Sequence, residues 1–332
     1  MNSWNIIGHD WAVEMLQKQI INQNVRHAYL ITGPDGVGRR TLAIRFAQAF
    51  CCEAHVAPAF PCLECKTCKT IETGKHFDLM NISRLVDEDK KGIGVKQVRE
   101  IGKFITRRPY AGDWKFIIFQ NFEDASISAQ NALLKTLEEA PPYVILLLTV
   151  GNTEQLLPTT VSRCEIINLR PLIMEDMTKF LTTRDKFEGD LDLIAHLSDG
   201  RPGYAYSLAA EENHFLGFRA EKLDELRMIL KNGIRERIRF SEKLVKDRDK
   251  FDLTLHIWLS FWRDVFNQSA GSNAEVTNID RKDEIKNLAE KISMKQAYKI
   301  TRDLESAITR LGRNVNSRLL AEVTLMDWPE LK

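Results

Sequence analysis

Gly33-Pro34-Asp35-Gly36-Val37-Gly38-Arg39-Arg40-Thr41 has the glycine spacing of a phosphate-binding loop, with arginine where that loop places its lysine. Arg40 stands at the position of the magnesium-binding hydroxyl, and Thr41 follows one residue late, about 100° further round a helix. Glycines so spaced let backbone N–H groups converge on phosphate oxygens at a helix N-terminus, where the dipole also favours an anion. Before the loop, Ala28-Tyr29-Leu30-Ile31-Thr32 is a short apolar run bounded by Gly33-Pro34 and reads as a buried parallel strand. After it, Leu42, Ala43, Phe46, Ala47 and Phe50 recur at the spacing of one helical face. A glycine-rich turn by itself is an ordinary connection. Flanked by strand and helix it is a P-loop by descent, although descent is not activity.

The active parts are altered. Arg39 can pair with a phosphate, but its planar fork is not the point charge that lysine places between β and γ oxygens. The apolar run Phe116-Ile117-Ile118-Phe119 ends in Gln120-Asn121, where an acid pair would hold magnesium and polarise water. Gly33, Gly36, Gly38, Arg39 and Thr41 are therefore candidate nucleotide-binding residues whose binding stays open, and hydrolysis by this chain is not expected.

Phe77 to Ile82, Phe116 to Phe119, Val144 to Thr149 and Glu165 to Leu169 supply further strands, separated by helical segments such as Val95 to Phe104 and Ser128 to Glu139. The alternation predicts a parallel sheet with helices on both faces. After Pro171 the strand signal ends. Leu172 to Leu181 and Leu191 to Leu197 read as short helices, and Gly200-Arg201-Pro202-Gly203 breaks the chain before another begins near Tyr204. Beyond Glu211 the pattern is helical and charge-laced, with Asn267 to Asn273 read as a loop. Three domains are expected: an α/β P-loop domain over 1–170, a small helical domain over 171–210 and an all-α domain over 211–332.

At 332 residues with a net charge of +1, no global field draws the chain onto nucleic acid or membrane. The opening residues lack the basic and apolar regions of a secretory signal, and no later run is long enough to span a bilayer. The expected compartment is the cytoplasm. There, clustered cysteines point to a metal rather than to disulfides. Cys52, Cys62, Cys65 and Cys68 include a C-x-x-C-x-x-C run, and each such turn brings two thiolates within reach of one tetrahedral ion. A structural zinc in a module over 52–68 is expected, with Cys51 as a spare buried thiol. His55 and His76 are alternative ligands that a four-thiolate set does not need.

Two further segments gain meaning from their company. The helix Asn131 to Glu139 places Leu133, Leu134 and Leu137 on one side and lies between the altered acid position and a strand ending at Thr149, the place of a polar γ-phosphate sensor. Ser162-Arg163-Cys164 lies just before the last strand; an arginine so placed is, on spacing alone, a surface ion-pair residue.

With Ile7-Gly8-His9-Asp10, His27 to Leu30, Leu156-Leu157-Pro158, Gly200 to Gly203 and Asn314 to Leu319, these motifs make the chain resemble bacterial DNA polymerase III clamp-loader subunits of the AAA+ class. Its departures at Arg39, Gln120-Asn121 and the Gly-x-Pro-Gly turn resemble the non-hydrolysing delta-prime type rather than the motor type. The resemblance implies an AAA+ domain with an inserted zinc module, a lid domain and a helical collar. It further implies a five-subunit ring with gamma/tau ATPase subunits and delta, acting on a sliding clamp and primer-template DNA, with no membrane partner. Arg163 would then be an arginine finger given in trans to a neighbour's nucleotide, with Ser162 and Cys164 as structural members of its motif. Lys96, Arg99 and Lys103, on one helical face, are candidates for template phosphates, or else a solvated basic face. Two rivals remain: an ATP-hydrolysing gamma/tau-like subunit in which Glu123 or Asp124 replaces the missing acid, although both are expected on the wrong side of the turn; and a zinc-dependent nucleic-acid-binding protein.

Overall fold

A computed structural model describes residues 3–87, 90–183, 190–210, 212–312 and 315–331. The motif residue Asn314 and the expected boundary residue Glu211 lie outside the described residues. The chain forms two compact units, Met1–Thr183 with Gly200–Ala205, and Arg184–Asp199 with Tyr206–Lys332.

In the first unit the order is α1 (Asp10–Ile21), β1 (Ala28–Thr32), α2 (Arg39–Cys51), α3 (Lys66–Glu72), β2 (Leu79–Ile82), β3 (Leu85–Asp87), β4 (Lys90–Gly92), α4 (Val95–Ile105), β5 (Lys115–Phe119), α5 (Ile127–Glu139), β6 (Val144–Val150), α6 (Pro158–Val161), β7 (Glu165–Asn168) and α7 (Met174–Thr183). β3 and β4 pair as a small antiparallel hairpin. The other five strands form one parallel sheet in the order β2-β5-β6-β1-β7. Its central strands are buried at every residue, which is why they read as continuous apolar runs. Alternate residues serve two cores. Tyr29, Ile31, Phe116, Ile118, Ile145 and Leu147 pack with α1 and α2, whereas Leu30, Ile117, Phe119, Leu146 and Leu148 pack with α4 and α5.

β2 starts at Leu79 rather than Phe77 because Asp78 turns inward. Its carboxylate, 2% exposed, accepts the N–H groups of Tyr110 at 2.8 Å and Ala111 at 2.7 Å. Phe77 is left outside at 76% exposure.

The chain continues through α8 (Leu191–Ser198), α9 (Pro202–Ala210), α10 (Glu212–Lys231), α11 (Ile234–Leu244), α12 (Arg248–Ser269), α13 (Lys282–Lys291), α14 (Met294–Leu311) and α15 (Ser317–Met326). In the second unit one apolar core runs through α10 to α15, centred on Trp258, Trp262 and Trp328 with ring centroids 5.2 and 5.8 Å apart. Arg237 is buried and donates to the carbonyls of Ile229, Asn232, Leu325 and Pro329, so a cation ties the end of α10 to the segment after α15. Asn316 caps α15 by accepting from the backbone of Arg318 and Leu319. The expected loop at Asn267–Asn273 begins later than the sequence suggested, because α12 continues through Ser269. The chain stops where Gly271 takes φ +68° and the Ser272 N–H closes on the Asn267 carbonyl at 3.0 Å.

Candidate functional site

β1 delivers Gly33, whose N–H donates to the Val150 carbonyl at 3.2 Å, and the loop then closes on Gly38 at the start of α2 with φ +113°. Arg39 does not project into solvent. At 6% exposure, its guanidinium lies against Asp35, donates to Asn121 Oδ1 at 3.3 Å and comes within 3.8 Å of Glu123 Oε1. Its second terminal nitrogen is buried without a hydrogen-bond partner. Arg40 and Thr41 are exposed.

Glu123 corrects the sequence reading. Asn121 takes φ +51°, which drives Phe122 into the core and swings Glu123 back to the loop rather than to the far side of the turn. There Oε1 accepts the Gly151 N–H at 2.9 Å, and burial pushes the carboxyl above its usual range. Thr149, at the sensor position, donates to the Phe119 carbonyl at 3.1 Å and accepts from the Asn121 N–H at 3.1 Å. An anion reaching this loop must compete with Asp35 and Glu123 for Arg39.

The Gly200 to Gly203 turn closes over the same loop. Gly203 N–H donates to the Gly36 carbonyl at 2.7 Å, and a Cβ on Gly36, which has φ +81°, would lie 2.8 Å from the Tyr204 nitrogen. Gly36→Ala should therefore destabilise the chain by about 1–3 kcal/mol. Urea unfolding checks this; an unchanged transition would show that the loop and turn yield freely.

Arg163 lies elsewhere. It follows α6, whose entry is set by the Gln130 side chain accepting the Leu157 N–H at 2.8 Å. Its Nε donates to Glu138 Oε1 at 2.8 Å and a terminal nitrogen to the Thr159 carbonyl at 2.9 Å. Ser162 Oγ also donates to Thr159, at 3.2 Å. Cys164 packs into the core beneath, where burial raises its thiol to about 12. Ser162 and Cys164 thus fix the turn, and Arg163 stands at the rim with Glu138 of α5. Glu138 was missed as a partner, because nothing in a helical charge pattern reports a neighbour 25 residues away.

The register decides what Arg163 can reach. β7 runs parallel to β1 with Tyr29 opposite Glu165 and Thr32 opposite Asn168. The phosphate loop leaves the C-terminal end of β1 and Arg163 precedes the N-terminal end of β7. They lie at opposite ends of these neighbouring parallel strands, separated by roughly 15 Å of strand at about 3.3 Å per residue. Lys96, Arg99 and Lys103 are exposed on α4, whose other face buries Val98 and Ile101.

The four cysteines converge. The sulfurs of Cys52, Cys62, Cys65 and Cys68 all lie within 4.8 Å of one another, with Cys52 and Cys62 at 3.5 Å; about 3.8 Å is what a tetrahedral ion with 2.3 Å metal–sulfur bonds requires. Backbone N–H groups point at the sulfurs: Cys62 to Cys52 at 3.3 Å, Cys65 to Cys62 at 3.3 Å and Cys68 to Cys65 at 3.4 Å. Leu63 takes φ +64° to make that turn. Burial pushes up the thiols of Cys52 and Cys68; at Cys65 burial acts the same way, but the N–H donors outweigh it and bring the thiol down to about 6. Such a donor set fits a divalent ion, which holds coordinating thiols deprotonated. With all four positions supplied by protein, no place remains for substrate, so the centre is suited to structure rather than catalysis. Cys51 lies outside it, and burial raises its thiol to about 12. His55 is turned to the Ala49 carbonyl at 2.9 Å and His76 Nδ1 accepts the Asp78 N–H at 3.2 Å, so neither joins the cluster.

Comparison with known proteins places this architecture. Residues 8–173 match the family model described as DNA polymerase III, delta subunit, and residues 214–330 match its C-terminal domain model. The chain belongs to the DNA polymerase III delta-subunit family, among the clamp-loader proteins. It is similar to the tau subunit of DNA polymerase III from Bacillus subtilis, at 32% identity over 64% of this chain and 38% of that one. It is also similar to delta-prime subunits from Pseudomonas aeruginosa, at 36% identity over 42% of this chain and 41% of the relative, and from Haemophilus influenzae, at 32% over 53% of each. The chain spans less than two thirds of the length of these relatives. Among the described residues, no helix is long and apolar enough to cross a membrane.

Proposed function

We propose that this chain is the delta-prime-type subunit of a DNA polymerase III clamp loader, one that hydrolyses no ATP and donates Arg163 in trans to a neighbouring ATPase subunit. The observation that carries the reading is the placement of Arg163 at the strand ends opposite its own phosphate loop. A guanidinium there is out of reach of the chain's own loop, which supports a target on a second molecule. The folded-back Arg39, the acid-free end of β5 and the Gly203 closure on Gly36 support the absence of turnover. In this reading residues 1–170 are the AAA+ domain with a structural zinc module at 52–68, 171–210 the lid and 211–332 the collar. Its partners are gamma/tau-type subunits, a delta subunit, the sliding clamp and primer-template DNA, in the cytoplasm.

A second reading has one observation in its favour: Glu123 returns to Arg39, so an acid does stand near the loop, as an ATP-hydrolysing subunit needs. Turnover by the purified chain separates the two. Alone with magnesium and ATP it should release no phosphate above background, and mixed with tau-type and delta subunits it should enter one complex with DNA-stimulated turnover. Brisk hydrolysis by the lone chain would establish the second reading instead.

A further inference from the structure

On the first unit an aromatic pair faces solvent. Phe77 is 76% exposed and Tyr110 83% exposed, yet their rings meet at 5.4 Å between centroids with an interplanar angle of 56°. Solvent-facing aromatics on a loop are ordinarily free to move apart. These are held. The buried Asp78 carboxylate binds the backbone of Tyr110 and Ala111 through three hydrogen bonds of 2.7 to 3.0 Å, locking the loop that carries one ring beside the residue that carries the other. The end of α4 entering this loop is also pinned, since Lys115 Nζ donates to the Phe104 carbonyl at 2.8 Å and the Tyr143 hydroxyl to that of Ile105 at 3.0 Å. The rings stand preorganised, so little conformational freedom remains to be lost on contact.

The flanks are cationic. Lys75 lies two residues before Phe77, and Arg107 and Arg108 lie three and two residues before Tyr110; all three are exposed. Asp113 is the one exposed acid in the segment 103–114, and Asp78 is occupied by backbone N–H groups. A partner must therefore offer flat apolar faces together with regularly spaced negative charge. Unpaired nucleotides do so: bases stack on aromatic rings and phosphates meet arginine and lysine, without need of a particular sequence. An acidic protein surface would satisfy the cations but has less use for two splayed rings opening to solvent.

We infer that Phe77 and Tyr110, flanked by Lys75, Arg107 and Arg108, form a stacking platform for single-stranded nucleic acid. The inference does not depend on the role assigned to Arg163. The test uses the full-length chain and a fluorescently labelled oligothymidine, with anisotropy read at low salt and through a salt titration. The intact chain should bind with salt-dependent affinity. Phe77→Ala with Tyr110→Ala should weaken binding on the order of 10-fold or more while leaving the circular dichroism and melting temperature unchanged. Arg107→Gln with Arg108→Gln should flatten the salt dependence by about two phosphate contacts. Tyr110→Trp should keep the affinity, and added oligothymidine should quench its emission. Absence of binding by the intact chain, equal binding by the double alanine variant, or loss of a protein partner by that variant with nucleic-acid binding unaltered would each overturn the inference.

Discussion

Arg163→Ala will leave the chain folded and able to assemble, yet lower ATP turnover at the neighbouring site it is proposed to serve by about 10³-fold or more. The structural cost is small because the side chain is partly exposed and its pair with Glu138 is a surface ion pair, worth about 0–1 kcal/mol. The catalytic cost is large because a finger neutralises charge that develops on the transferred phosphoryl group in a site cleared of water. Its Nε and one terminal nitrogen are already spoken for by Glu138 and Thr159. Reaching a triphosphate therefore requires exchanging Glu138 for phosphate oxygens, which makes Glu138 a holder of the resting arginine. Arg163→Lys should fail nearly as badly, since an ammonium lacks the two-pronged donor geometry. The check is DNA- and clamp-stimulated turnover by a complex reconstituted with each variant, with assembly confirmed by gel filtration. Undiminished turnover in an assembled Arg163→Ala complex would remove this residue from the mechanism.

The sheet was legible because buried parallel strands write themselves as unbroken apolar runs: Ala28–Thr32, Lys115–Phe119 and Val144–Val150 differ from the sequence reading by a residue at most. The cysteine cluster was equally legible, since two-residue spacers leave few ways to place the sulfurs. What stayed hidden is tertiary. Nothing in the order of residues says that Asn121 will take a left-handed conformation and return Glu123 to Arg39, nor that the Gly203 N–H will seal Gly36. Asp78 was invisible for a related reason: a single acid inside an apolar run reads as part of a strand until the loop that needs its carboxylate is seen. The hairpin β3–β4 and the short α3 also escaped, because three- and seven-residue elements carry too few periods to register. Arg163 was singled out from the sequence, but its place at the strand ends away from the phosphate loop comes from the parallel register of β1 and β7.

We expect the four sulfurs to hold zinc; chelating it, or replacing Cys68 by serine, should unfold the 52–68 segment and carry the effect to the N-terminus without dissolving the sheet. Structural zinc contributes about 10–16 kcal/mol to the folding of isolated finger peptides, and this module has few apolar contacts of its own to replace it. Two hydrogen bonds transmit the loss. The Gln48 side chain, wholly buried on α2, donates to the Cys68 carbonyl at 2.8 Å, and Trp4 Nε1 donates to the Ala59 carbonyl at 2.8 Å. Trp4 has no exposed surface and lies 6.2 Å from Phe46 between ring centroids, so its indole is held against α2 by a residue inside the cysteine module. Once Ala59 is released, the indole N–H loses that carbonyl, a buried hydrogen bond worth about 0.5–1.5 kcal/mol, and the N-terminal segment should loosen. The intact protein should carry one zinc per chain by metal analysis. Chelation should shift tryptophan emission to longer wavelength, and Trp4→Phe should abolish that shift while the emission of the remaining tryptophans stays where it was. A metal-free chain whose emission and melting temperature match those of the untreated chain would show that the four sulfurs pack as thiols and that Trp4 is held by its apolar neighbours alone.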